Sequence, residues 1–128
     1  MENKTILIIE DDAFFRMVIS KEFELKGFNI IGAANSIEAF KFLDNTIPDL
    51  ILLDILLPGM NGYDILEKIK ADKKTSGIPV VMLSNLGQKD EIEKAKNLGA
   101  EDFMIKVNFV PEEIVQRVRE ILNKKFPI

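Results

Sequence analysis

The sequence predicts an α/β domain, a doubly wound parallel sheet of five strands with five helices covering both faces. Three observations predict it. Short apolar runs rich in β-branched residues recur five times, and a segment of helical periodicity follows each one. The runs are continuous rather than alternating, which marks strands buried on both sides. Four of the runs, the first, third, fourth and fifth, also stop at a polar or charged residue, and in open α/β sheets that carboxyl edge is where ligands bind.

The first run is Thr5 to Ile9, ending in Glu10-Asp11-Asp12. A helix is expected from Ala13 to Lys26, with Asp12 as its N-cap and Gly27 as its stop. Phe15, Ile19, Phe23 and Lys26 share one line of it, flanked by Val18 and Leu25. Phe28 to Ala33 gives the second strand. Asn35-Ser36 with Glu38 signals the second helix, with Ala39, Phe40 and Leu43 turned inward. The central strand is Leu50-Ile51-Leu52-Leu53, entered through Asp49 and ended by Asp54. A turn segment, Ile55 to Gly62, leads to a third helix over Tyr63 to Ala71, which Ser76-Gly77 closes off.

The fourth strand is Ile78 to Leu83, with Pro79 tolerable only near its start, and it ends at Ser84. The helix after it, Lys89 to Leu98, has only Ile92, Ala95 and Leu98 to bury and should be the least stable element. Phe103-Met104-Ile105 is the fifth strand and ends at Lys106. Pro111 and Glu112-Glu113 suit the first turn of a last helix, and Lys124-Lys125 suit its end. Ile114, Val118 and Ile121 should line its inner face.

Composition narrows the function. The chain has 128 residues and no linker-like stretch, so residues 1–128 read as one domain. It has 17 basic and 21 acidic residues, a formal charge of −4, with lysines dispersed, so direct nucleic-acid binding is not expected. Cysteine and histidine are absent, which excludes disulfides, thiolate metal sites, imidazole bases and a phosphohistidine on this chain. No apolar stretch is long enough to span a membrane. The N-terminus shows no export signal, so a cytoplasmic location is expected.

Glu10 and Asp11, Asp54, Ser84 and Lys106 all leave the same sheet edge. If the first and third strands are neighbours, three carboxylates meet within a few ångströms. Such charges repel one another unless a cation neutralises them, and Mg²⁺ favours oxygen ligands. A carboxylate beside Mg²⁺, a hydroxyl and a lysine makes a phosphoryl-transfer site. Asp54, alone on the central strand, is the expected nucleophile, giving an aspartyl phosphate. Its other possible role is as a metal ligand only.

The chain resembles the receiver domains of two-component response regulators, in particular the single-domain chemotaxis type. Four pieces carry the resemblance: Ile8 to Asp12, Asp54 to Gly62, Val81 to Ser84, and Gly99 to Lys106. The likeness as a whole covers essentially residues 4 to 123. The resemblance implies a flavodoxin-like sheet of order 2-1-3-4-5. It implies that Asp11 binds Mg²⁺ directly, Glu10 acts largely through water, Asp54 is ligand and phosphoacceptor, and the Leu56 carbonyl completes the set. Counting back sixteen to seventeen residues from Gly27 selects Glu10 and Asp11 as the acidic pair, with Asp11 and Asp12 as the other register.

Ser84 and Phe103 hold the family's switch positions. Leu56 and Leu86 flank the path of the hydrolytic water; both are apolar, so self-dephosphorylation should be slow. The chain would catalyse its own phosphorylation and that slow loss without turning over an external substrate. The resemblance also implies a sensor histidine kinase or histidine phosphotransfer protein as donor, an unidentified downstream protein target, and a monomer or weak dimer.

One position departs from the family, which has proline after the lysine, joined by a cis bond. Here Val107 follows Lys106. The reading favours a family-like cis bond nevertheless, despite its cost of about 2.5–4 kcal/mol. Competing readings are a phosphorylation-independent adaptor on the same fold, an aspartyl phosphatase and a flavin binder. Leu56, standing where a phosphatase wants its second acid, argues against the phosphatase. Glu10-Asp11-Asp12, which would repel a bound phosphate, argues against the flavin binder.

Overall fold

The computed structural model describes residues 4–85 and 87–126. Five strands, β1 (Thr5–Ile9), β2 (Asn29–Ala33), β3 (Leu50–Asp54), β4 (Val80–Ser84) and β5 (Asp102–Ile105), form one parallel sheet. Its order is β2-β1-β3-β4-β5, as the resemblance implies. The helices are α1 (Ala13–Leu25), α2 (Ser36–Leu43), α3 (Gly62–Ala71), α4 (Lys89–Asn97) and α5 (Pro111–Lys125).

The central strands are buried along their whole length, as their unbroken apolar composition requires. Side chains that alternate along a strand go to opposite faces, so the core divides in two. Ile6, Ile8, Leu50, Leu52, Val81, Leu83 and Met104 pack with residues of α1 and α5. Leu7, Ile9, Ile51, Leu53, Val80 and Met82 pack with residues of α2, α3 and α4.

The caps at Asp12 and Asn35 match the sequence signals, and Asn61 caps α3 in the same way: each accepts a hydrogen bond from the backbone N–H three residues on, at 3.0–3.1 Å. The Glu38 side chain reaches back to the Ala34 N–H at 2.7 Å. Proline at the start of α5 and acids in its first turn are also as expected. In α4 only Ala95 is fully buried, with Ile92 and the following Leu98 half-exposed, so α4 has the fewest buried residues of the five α-helices.

Two helix faces differ from expectation. Leu25 is 78% exposed rather than flanking the core stripe, because it lies about 200° around the helix from Phe23. On α5 the buried stripe is Ile114, Val115, Val118 and Leu122, while Ile121 sits half-buried at its margin.

Candidate metal and phosphoryl-transfer site

β1 and β3 are neighbours with Ile9 level with Leu53, so Glu10 and Asp54 leave the sheet side by side. Asp11 follows on the loop into α1. One carboxylate oxygen from each of Glu10, Asp11 and Asp54 lies within 4.8 Å of the others. Asp12 is not part of this group; its side chain is occupied capping α1. The geometry therefore places Glu10 and Asp11, rather than Asp12, beside Asp54.

Asp54 is buried, and its Oδ1 accepts the Ile55 N–H at 2.8 Å. Its Oδ2 lies 3.5 Å from Lys106 Nζ. The same ammonium makes an ion pair with Glu10 Oε1. Burial pushes the Glu10 carboxyl up from 4.5 to about 7; Lys106 opposes this and the Asp54 charge adds to it. Two buried carboxylates thus share one lysine, and a net negative charge is left in a low-dielectric crevice. Three hard oxygen donors with charge to spare suit a divalent cation such as Mg²⁺.

The metal-free protein should accordingly lose stability as pH rises. An unfolded chain releases the Glu10 proton near 4.5, whereas the folded chain holds it to about 7. Between those values the native state binds the extra proton, so the unfolding free energy falls with pH. Thermal melts in EDTA from pH 4.5 to 7.5 should show a smaller decline for Glu10→Gln than for the wild type.

Ser84 is buried at the end of β4, level with Ile105 of β5. Phe103 is half-buried against the α2–α4 side of the core. Leu56 is 71% exposed at the mouth of a crevice of about 260 Å³, which Glu10, Asp11, Asp54, Asn85, Lys106 and Val107 also line. Leu86 lies outside the described residues.

The expectation of a cis bond at Lys106-Val107 is overturned: no described peptide bond is cis. A turn of 3₁₀ helix, Lys106–Asn108, carries the chain away from β5 and still leaves the lysine side chain in the crevice. The preference for the family's geometry had set aside the cost of a cis bond before a residue other than proline.

Two residues of α1 escaped the sequence reading. Arg16 donates a hydrogen bond to the Glu10 carbonyl and fixes the acidic loop. Its signal was Gly32 within β2, since a strand glycine marks a close approach, and here a Cβ would come within 3.1 Å of Arg16 Cδ. Phe15 was read as core alone, yet its ring faces the Lys106 ammonium, 4.6 Å from the ring centre.

Residues 6–119 match the family model of the response regulator receiver domain. The phosphate regulon transcriptional regulatory protein PhoB of Pseudomonas aeruginosa is 36% identical over 127 residues, covering 99% of this chain and 55% of that protein. The DNA-binding dual master transcriptional regulator RpaA of Synechocystis is 34% identical, over 93% of this chain and 49% of its own length. The chain thus spans about half the length of these curated relatives. Among solved structures, a two-component response regulator from Clostridium difficile superposes with a TM-score of 0.89 at 29% identity, covering 97% of this chain and 99% of that one. A CheY-like receiver domain protein from Methanospirillum hungatei gives 0.87 at 26% identity, with 96% of each chain covered.

Proposed function

Because the chain belongs to the response regulator receiver domain family, we propose that it takes a phosphoryl group onto Asp54 and thereby switches a protein-binding surface. The donor would be a phosphohistidine on a sensor kinase or phosphotransfer protein. The observation that carries this reading is the setting of Asp54, a buried carboxylate at the sheet edge, backed by an acidic pair and faced by a lysine.

A carboxylate oxygen of Asp54 attacks phosphorus. The bond from phosphorus to the donor nitrogen breaks, and the imidazole leaves with its electron pair. Lys106 neutralises charge on the transferred group, and Ser84 supplies a hydroxyl hydrogen bond beside it. The Glu10, Asp11 and Asp54 side chains with the Leu56 carbonyl would hold Mg²⁺, which supplies the positive charge that the transferred oxygens need.

The new charge on Asp54 draws Ser84 and Lys106 toward it, and Phe103 moves behind Ser84. That biases α4, the least anchored helix, and so the face made by α4, β5 and α5. A difference of a few kcal/mol between the two states suffices for such a switch. The receiver domain works in the cytoplasm, monomeric or weakly dimeric, and does not itself contact nucleic acid. Its target is a protein, whether a motor switch of chemotaxis type, a kinase in a phosphorelay or another regulator.

Incubation with acetyl phosphate and Mg²⁺ should add about 80 Da, one phosphoryl group, by intact mass. EDTA should prevent the gain. No gain from acetyl phosphate or from a phosphorylated histidine donor would overturn the reading in favour of the phosphorylation-independent adaptor. The phosphorylated form should also persist. The exposed side chain at Leu56 has no group that orients water, so phosphate loss should take many minutes. Decay within seconds after donor removal would contradict this.

A further inference from the structure

We propose that Phe15 is a positioning residue for Lys106, its ring seating the ammonium at the point from which it can serve a phosphoryl group on Asp54. The proposal rests on the phosphoryl-transfer reading above and names a residue outside the set of carboxylates, serine and lysine.

Lys106 needs such a seat. Its side chain is a flexible four-carbon stem ending in a point charge, with no preferred geometry of its own. The residue after it, Val107, is 79% exposed, so its side chain does little to anchor the turn that carries the lysine. Three carboxylates compete for the charge, and in this state it is paired with Glu10 and lies 3.5 Å from Asp54. Left to the carboxylates alone, the ammonium could follow any of them, including Asp11 at the exposed rim.

Phe15 can hold it. Lys106 Nζ is 4.6 Å from the ring centroid, within the range over which an aromatic face attracts a cation. The Lys106 side chain is only 10% exposed, so water screens the attraction little. The ring is itself fixed. The Phe15 N–H donates to Asp12 Oδ1 at 3.1 Å, and the ring packs on the α1–α5 side of the core. The next residue, Arg16, holds the Glu10 carbonyl, so ring and acidic loop are one unit. A carboxylate in place of Phe15 would also attract the lysine but would neutralise it. The ring face holds the cation and leaves its charge available to the phosphoryl oxygens.

The test compares wild type with Phe15→Leu, Phe15→Met and Phe15→Trp. In carbon–proton correlation NMR of the metal-free proteins, the Lys106 ε-methylene protons should be shifted upfield by the ring in wild type and Phe15→Trp. They should return to the ordinary lysine position in the two ringless variants. Phosphorylation by acetyl phosphate at saturating Mg²⁺ should slow by roughly 3- to 30-fold in the ringless variants, and Trp should restore it. Mg²⁺ affinity by calorimetry should stay within about twofold in all four, because the ring touches no ligand charge. An unshifted Lys106 in wild type, or a ringless variant that folds and reacts at the wild-type rate, would overturn the proposal. Two ringless variants guard against one failing to fold. If wild type takes up no phosphate from any donor, the phosphoryl-transfer reading fails, and the proton shift still decides whether the seat exists.

Discussion

Asp54→Asn should take up no phosphoryl group from acetyl phosphate with Mg²⁺ under conditions that phosphorylate the wild type fully. The amide keeps the shape of the side chain, and its oxygen can still accept the Ile55 N–H that Asp54 Oδ1 accepts at 2.8 Å. What it loses is the anionic oxygen that attacks phosphorus, and the neighbouring acids do not replace it. Glu10 is paired with Lys106, and Asp11 sits on the loop rather than at the end of the central strand. The stability effect should be small. The variant gives up the attraction to Lys106 at 3.5 Å and is relieved of repulsion from Glu10. These oppose each other, so a net change within about 1 kcal/mol is expected. Intact mass and a thermal melt in EDTA check both halves. A full mass gain in the variant would place the acceptor elsewhere.

Gly62→Ala should have the largest effect on the fold of any single-methyl addition at the described glycines of the site. A Cβ at Gly62 would stand 2.3 Å from the Asp54 carbonyl oxygen and 2.7 Å from Ile55 Cα, both backbone atoms that cannot rotate away. The Gly62 N–H also closes the loop by donating to the Ile55 carbonyl at 2.8 Å. One methyl group therefore forces apart the start of α3 and the end of β3. A loss of about 3 kcal/mol is expected, at the upper end of overpacking penalties, and with it roughly 10 °C of melting temperature. Phosphorylation should fall as well, because the displaced backbone is the one that carries Asp54. Gly77→Ala is the control. Nothing lies within 4 Å of a Cβ there, so it should be neutral or slightly stabilising. Equal melting temperatures for the two variants would contradict the close approach.

Much of this architecture is legible in the chain because its signals are local. Unbroken runs such as Ile6 to Ile9 and Leu50 to Leu53 read as strands covered on both faces, and Asp12 and Asn35 cap the helices that follow them. The convergence of Glu10, Asp11 and Asp54 also follows from strand ends once β1 and β3 are neighbours. What was not legible depends on facts between elements. The turn role of Gly62 was visible, but its contact with the Asp54 carbonyl was not. The helical stripe was drawn too generously at Leu25 and one position off at Ile121, since local periodicity does not say where the sheet lies. The bond after Lys106 was misjudged by deferring to the family over the cost of a cis peptide.

The sheet that positions the site also separates the two halves of the interior. Ile19 and Phe23 share neighbours with Leu52 and Val118, whereas Ile65 and Ile69 share neighbours with Leu53 and Met82. A volume change in one half has no side-chain partner in the other. Compensating substitutions in descendants of this sequence should therefore pair within a half. A cavity opened under α1 would be refilled from α5 or the near side of β3, and the helices across the sheet would drift in sequence independently of it.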